Sequence, residues 1–161
     1  GYPPQAQVNA DYGQRVYEYG MELAYRREGE RVLTLTSPES VAGVTARLED
    51  GGGSLEYDGV RVETGPLDET GMSPMEGPSV LLDYALQGFL AECVLEEGAE
   101  DRTLRVICRD PERPAGQGRE CSLWFDPDSH ALLRGELSWD GYTVIRCLFS
   151  NFRLIPGPGG A

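Results

Sequence analysis

The sequence predicts an α+β fold that is mainly β: one large curved antiparallel sheet with one main helix covering its concave face. Three observations support this prediction. Apolar and polar residues alternate along many short segments, as they do in half-buried strands. Compact turn sequences such as Asp58-Gly59 and Asp140-Gly141, which are typical of hairpins, separate those segments. Only residues 79–92 carry the wide apolar stripe of an amphipathic helix.

The N-terminal half is predicted to be a meander of strands. Residues 1–12 are polar and rich in Pro and Gln, which predicts a flexible linker. Alternation over residues 14–27 predicts a long strand, and shorter strands follow at 31–37, 44–48, 55–57 and 60–62. Residues 64–78 show no periodicity and are predicted to be a loop. The apolar face of the long strand consists of Tyr17, Tyr19, Met21, Leu23 and Tyr25.

The C-terminal half begins with the helix, whose stripe includes Tyr84 and Phe89 and is wide enough to be buried against a sheet. A hairpin at 93–96 and 103–109 is predicted next, then a surface loop at 110–118 and a three-stranded meander from 121 to 154. Residues 156–161 are rich in Pro and Gly and predict a flexible tail. We therefore expect a single domain over residues 13–155.

A two-residue turn at Asp140-Gly141 predicts the register of the last hairpin. One face of the sheet would then carry Leu133, Leu137, Trp139, Val144 and Leu148, and Arg146 would lie among them, opposite Gly135. In that position an arginine could contact a carboxylate or phosphate head group. The alternative is that its head reaches the rim or pairs with a structural acid.

Composition excludes several classes of function. The net charge of -13 disfavours nucleic acid and anionic membrane surfaces as partners. All 14 basic residues are Arg, which rules out a Schiff-base lysine and a P-loop lysine. The single histidine, His130, follows the turn sequence Asp126-Pro127-Asp128-Ser129, where exposure is expected. We expect no enzyme activity, no metal and no cofactor.

The four cysteines contain no Cys-x-x-Cys pair, so neither a zinc site nor a thioredoxin-type motif is supported. Cys108 and Cys121 end one predicted strand and begin the next, which makes a cross-strand disulfide plausible. The even count fits an oxidising compartment, with buried free thiols as the alternative.

The order of several short motifs resembles the outer-membrane lipoprotein carrier (LolA-like) superfamily. It is most similar to the lipoprotein members of unknown function from Gram-positive bacteria, and the resemblance spans about residues 14–154. The motifs are Tyr19-Gly20-Met21-Glu22-Leu23, Thr36-Ser37-Pro38-Glu39, Leu55-Glu56-Tyr57-Asp58-Gly59, Phe125-Asp126-Pro127, Trp139-Asp140-Gly141 and Phe149-Ser150-Asn151-Phe152.

The resemblance implies a half-open β-barrel whose apolar concave face is lidded by helices and holds acyl chains. It also implies an extracytoplasmic, non-catalytic lipoprotein, attached to the cell membrane only through a lipid anchor at an N-terminus outside this sequence. This chain departs from the family in showing one strong helix and no lysine for a polar rim. The expected ligand-binding residues are Tyr17, Tyr19, Met21, Leu23, Tyr25, Tyr84, Phe89, Leu137, Trp139, Val144, Arg146 and Leu148.

Two alternatives stay open from the sequence. The aromatic stripe of the long strand could pack as core under the helix instead of lining a cavity. The protein could also be an envelope protein–protein interaction module with a closed core and no ligand. Its contact would then be the loop at 64–78, with Met72 and Met75 exposed.

Overall fold

The computed structural model describes residues 3–25, 30–49, 52–64, 72–88 and 90–152. These residues form one eleven-stranded antiparallel sheet and one α-helix, with a single 3-10 turn at Glu39–Val41. The elements in chain order are β1 Gln5–Asp11, β2 Val16–Tyr25, β3 Arg31–Ser37, β4 Thr45–Glu49, β5 Gly52–Tyr57, β6 Val60–Thr64, α1 Gly77–Gln87, β7 Leu90–Glu97, β8 Arg102–Arg109, β9 Arg119–Phe125, β10 Leu132–Trp139 and β11 Tyr142–Ser150.

The sheet consists of two meanders joined at the middle. The strand order is β6-β5-β4-β3-β2-β1-β11-β10-β9-β8-β7, so every strand except β1 and β11 pairs only with its neighbours in sequence. The β1–β11 ladder joins the two meanders. Strands β6 and β7 form the two edges and are not paired with each other, so the barrel is open. The predicted fold class is confirmed.

Strand β1 was not expected, because residues 1–12 were predicted to be a linker. Ala6, Val8 and Ala10 are buried at the centre of the sheet, and their polar neighbours point to the other face. They lie opposite Phe149, Cys147 and Ile145 of β11. The period-two pattern is present in the sequence, but its small side chains give a weak hydrophobic signal.

Helix α1 is shorter than the predicted helix at 79–92. Gly88 ends it: its N–H donates to the carbonyl of Tyr84, and its backbone turns to an extended conformation with ψ 149°. A Cβ at Gly88 would lie 2.6 Å from that carbonyl oxygen, so only glycine fits there. Residues 90–92, predicted as helix, begin β7 instead. No helix in the described part of the chain has the length and apolar character needed to cross a membrane.

The helix packs on the concave face through close approaches to the sheet. Leu81 and Leu82 are buried. A Cβ at Gly135 of β10 would lie 3.0 Å from both terminal methyls of Leu81. A Cβ at Gly77 would lie 2.9 Å from Ile145 on β11. The room predicted opposite Gly135 therefore exists, and the helix fills it.

The predicted register of the last hairpin holds only at its turn. Trp139 pairs with Tyr142 as expected. A bulge between Leu137 and Ser138 then shifts the ladder by one residue, so Leu137 pairs with Ile145 and not with Val144. Because side chains alternate between faces, this one-residue shift inverts the predicted orientation of the rest of β11.

The shift moves two predicted ligand residues to the convex face, so their predicted place on the shared face was wrong. Arg146 lies opposite Glu136, and Leu148 lies opposite Arg134. The guanidinium of Arg146 forms an ion pair with Glu136 at 3.5 Å, and Leu148 is 59% exposed. Cys147, which was expected on the other face, is buried on the concave side.

We expect Gly135→Val to destabilise the fold, because its added carbons collide with Leu81. Overpacking of this kind costs about 1–3 kcal/mol, and urea unfolding followed by circular dichroism will measure it. Ser138→Val in the same strand is the control, since Ser138 does not face the helix. Equal unfolding midpoints for the two variants would contradict the packing described here.

Candidate ligand-binding groove

The centre of the concave face is a packed core beneath α1. Its members come from strands of both meanders and from the helix. They leave no room for a ligand under the helix axis, because Leu33, Leu81, Leu137 and Ile145 are fully buried. The other core residues on this face include Met21, Leu23, Leu35, Ala46, Cys108, Cys121, Leu123, Cys147 and Phe149.

The two ends of the concave face are not covered by the helix. The register places alternate apolar residues of the edge strands on the same face as the core. The β5–β6 end consists of Leu55, Tyr57, Val60 and Val62, and the β7–β8 end consists of Leu90, Leu95, Leu104 and Val106. Five of these side chains are between 46% and 64% exposed. The result is an apolar groove, filled at its centre and open at both ends.

The helix is attached to the sheet by two arginines on either side of its axis. Arg31 of β3 donates to the hydroxyl of Ser79 at 2.8 Å and forms an ion pair with Asp83 at 2.9 Å. Arg119 of β9 donates to the hydroxyl of Tyr84 at 3.1 Å and lies 5.4 Å from its ring centroid. Ser79 lies in the first turn of the helix, and its hydroxyl accepts from Arg31. These two arginines therefore hold the helix against the sheet.

A group of tyrosines lines the sheet beside the segment that leads into the helix. Tyr17 and Tyr19 stack with ring centroids 6.3 Å apart, and Tyr12 meets Tyr17 edge-on at 6.0 Å. The hydroxyl of Tyr12 donates to the carbonyl of Met72 at 2.6 Å. Met72 is buried, and Met75 packs against the core. The expectation that these methionines are exposed was wrong.

No protein-family model matches the sequence, and comparison with curated proteins finds no relative. Solved structures do share its fold. A chain from the complex of the CwlD amidase with the GerS lipoprotein of Clostridioides difficile is 13% identical, with a TM-score of 0.54, and the match covers 96% of this chain and 86% of that one. A LolA superfamily protein from Nitrosomonas europaea is 11% identical, with a TM-score of 0.47 and coverage of 95% and 86%. LprF from Mycobacterium bovis is 16% identical, with a TM-score of 0.43 and coverage of 99% and 91%.

The fold is an open half-barrel, which the chain from the Clostridioides difficile complex shares. The open curved sheet and the single helix across its concave face have the arrangement that the sequence motifs predicted. At these identities the likeness describes the fold alone, and the function has to be argued from the residues of this chain.

Most of the predicted ligand residues lie on the concave face of the sheet, but in different environments. Met21, Leu23 and Leu137 are buried in the core, which agrees with the alternative that the long strand packs under the helix. Tyr17, Tyr19, Tyr84 and Val144 are partly buried against that core, and Trp139 is 37% exposed. The side chain of Tyr25, and Phe89, lie outside the described residues.

The exposed residues at the groove ends were missed as ligand residues. The Asp58-Gly59 hairpin was predicted correctly, with Asp58 and Gly59 both at positive φ. Its alternation of Leu55, Tyr57, Val60 and Val62 shows one apolar face, and that signal was available in the sequence. What the sequence did not show is that the helix is too short to reach this hairpin.

A pocket lies on the opposite, convex face of the sheet, where β10, β11, β1 and β2 meet. It has a volume of about 740 Å³ and a mixed lining. Its charged and polar groups satisfy one another in part, since Arg146 pairs with Glu136, and Asn9 donates to Glu18 at 3.0 Å. Such a lining does not suit an acyl chain. The lining residues are Gln7, Val8, Asn9, Asp11, Glu18, Arg134, Glu136, Arg146, Cys147 and Leu148.

Three of the four cysteines are buried on the concave face. Cys108 lies directly opposite Cys121 in the β8–β9 ladder, and both thiols are free. The disulfide between them stays a prediction. Burial raises the pKa of the Cys108, Cys121 and Cys147 thiols, and Cys121 is raised further by its two thiol neighbours. Cys93 alone of the four is exposed.

We expect one fast-reacting thiol in the reduced native protein. Cys93 reacts with Ellman's reagent at once, whereas burial and raised pKa values keep the other three unreactive until denaturant is added. Cys93→Ser is the control and removes the fast phase. Two or more fast thiols in the wild type would contradict the burial of the concave face.

We expect Asp83→Asn to increase local opening of α1 without a large loss in the global free energy of unfolding. The Arg31–Asp83 pair is partly exposed, so its loss costs less than about 1 kcal/mol, but the pair attaches the helix directly to β3. Hydrogen exchange of α1 amides will rise. Glu136→Gln removes an ion pair on the convex face and leaves α1 exchange unchanged; equal exchange in both variants would contradict the role of Arg31.

Proposed function

We propose that this protein is an extracytoplasmic, lipoprotein-type binding protein that holds an acyl chain or a similar apolar ligand on the concave face of its sheet, without catalysis. The observation that carries the proposal is the exposed apolar surface at both ends of that face, which lies in line with the core. Soluble proteins rarely leave contiguous apolar patches uncovered without a use for them.

The energetics suit a chain-like ligand. Burying one methylene group contributes about 0.8 kcal/mol, so six methylenes covered at one groove end provide about 5 kcal/mol before binding costs. Arg31 and Arg119 attach α1 through side-chain contacts only. Such contacts break at a lower free-energy cost than the backbone hydrogen bonds of a strand ladder. An acyl chain that reaches both ends would have to pass beneath the helix, and the helix would then separate from the buried core around Leu81 as well as from the attachments on one side.

The absence of catalysis is supported by what the groove contains. Its uncovered residues are mostly aliphatic or aromatic, and the exposed thiol of Cys93 and the exposed Glu97 and Arg102 lie at the β7–β8 end. The single histidine, His130, lies exposed in the β9–β10 turn with a φ of 63°. Among the described residues, no cluster of three or more His, Cys, Asp or Glu side chains is placed to hold a metal ion.

The extracytoplasmic location and the lipid anchor belong to the same proposal. The complex from Clostridioides difficile, one chain of which shares this fold, includes a lipoprotein. The cross-strand position of Cys108 and Cys121 suits an oxidising compartment.

We expect Val62→Asp to weaken binding of a fluorescent fatty-acid probe by about tenfold or more, because a carboxylate against an acyl chain costs at least about 1.4 kcal/mol. Leu148→Asp is the matched control. It changes an equally exposed apolar residue, 59% against 55%, on the convex face, and it leaves probe affinity unchanged.

Loss of binding in Leu148→Asp alone would place the site in the pocket on the convex face and overturn the proposal. Delipidated wild-type protein with no affinity for fatty-acid or phospholipid probes would do the same and would favour the interaction module. Native mass spectrometry of protein purified from its own host provides an independent measurement, since a bound lipid adds its mass to the folded species.

A further inference from the structure

Strand β7 is an open edge of unusual composition. In the described part of the chain it pairs with β8 on one side only, so its other side presents a row of free N–H and C=O groups. Natural edge strands are usually short or protected by charge. This one has eight residues, against five in the β6 edge, and exposes Leu90, Val94 and Leu95 on its two faces.

The charges that would protect this edge are largely satisfied within the chain. Glu92 pairs with Arg109 at 3.6 Å, and Glu96 pairs with Arg105 at 3.5 Å. The indole N–H of Trp124 also donates to Glu96 at 3.3 Å. These carboxylates are held against β8 by its arginines, and their repulsion toward another strand is reduced.

We propose that β7 is a self-association edge, through which two copies of this chain pair as antiparallel strands about a two-fold axis perpendicular to the sheet. This symmetry keeps the concave faces of both copies on one side. It requires residues of the same face to lie opposite each other, so one residue of β7 lies opposite its own copy, with the axis midway between the two.

Charge selects the register. Two such registers lie at the middle of the strand, centred on Cys93 or on Val94. Centring on Val94 places Glu92 directly opposite Glu96 of the second copy, twice, and like charges in that position are destabilising. Centring on Cys93 places Glu92 opposite Val94 of the second copy, with no carboxylate opposite another. The two Cys93 residues then face each other across the axis.

Pairing in this register joins the β7–β8 ends of two grooves into one apolar surface. The interface is a single strand, far below the roughly 1,200 Å² of a stable complex, so the dimer is weak and concentration-dependent. Each chain carries a net charge of -13, and salt screens that repulsion. Association therefore strengthens as ionic strength rises.

The test is sedimentation equilibrium over protein concentrations up to about 1 mM, with two charge variants at one exposed position. Val94→Glu puts a carboxylate opposite Glu92 of the second copy, and Val94→Lys puts an ammonium there. Two symmetric pairs change Kd by about 2- to 30-fold, upward for glutamate and downward for lysine.

Within one chain Val94 lies opposite Arg105, so the same substitutions shift monomer stability in the opposite direction. A destabilised monomer therefore cannot imitate the expected result. A monomeric wild type at every concentration, or glutamate and lysine variants that shift Kd in the same direction, would overturn the proposal.

Cross-linking reads the register directly. Directly opposite residues in an antiparallel pair have Cα atoms about 4.5–5.5 Å apart, which suits a disulfide. With diamide as the oxidant, the two Cys93 thiols give up two electrons and two protons to its azo bond, and one S–S bond forms between the copies. Wild type yields a covalent dimer, and Cys93→Ser does not. A Cys93→Ser, Leu95→Cys double variant stays monomeric under the same treatment; cross-linking as fast as wild type would show that the register is wrong.

Discussion

The pairing of β1 with β11 is the contact on which the rest of the structure depends. Every other ladder joins strands that are neighbours in sequence, and such hairpins could form within either meander alone. Only β1–β11 brings residues 5–10 against residues 145–150 and makes one continuous surface. The β1 side chains buried along this ladder are small (Ala6, Val8 and Ala10), so the helix can approach the sheet closely from the concave side.

The groove follows from a mismatch between the sheet and its lid. Eleven strands at about 4.8 Å spacing make a surface roughly 50 Å across before curvature, whereas α1 has eleven residues and a length of about 16 Å. The helix buries the centre of the face around Leu81, and the apolar ends are left to water. A longer helix, or a second one, would have turned the same sheet into a closed core.

The sequence specified strands and turns well and specified faces less well. Alternation located β2 and the Asp58-Gly59 hairpin, because strongly apolar residues carried the pattern. The same alternation in β1 was missed, since alanine contributes little hydrophobic contrast. The helix was extended past Gly88 because the apolar pattern continues into Leu90, although that residue belongs to a strand.

The bulge in β11 could not be read from local sequence. Nothing between Trp139 and Arg146 marks an extra residue; the shift follows from the way Leu137 and Ile145 meet beneath the helix. That single residue decided the position of Arg146, and with it the interpretation of a whole face. Strand register was therefore the feature of the candidate site that local sequence predicted least well. The apolar concave face itself could be predicted from the alternation of the strands.

The two connections to the helix differ in length, and this limits how the helix can move relative to the sheet. Two residues, 88 and 89, join α1 to β7, whereas twelve, 65–76, join β6 to α1. Two residues span at most about 7 Å, so we expect the C-terminal end of the helix to stay close to β7. Any displacement of the helix is then greatest at its N-terminal end, where Arg31 contacts Ser79 and Asp83.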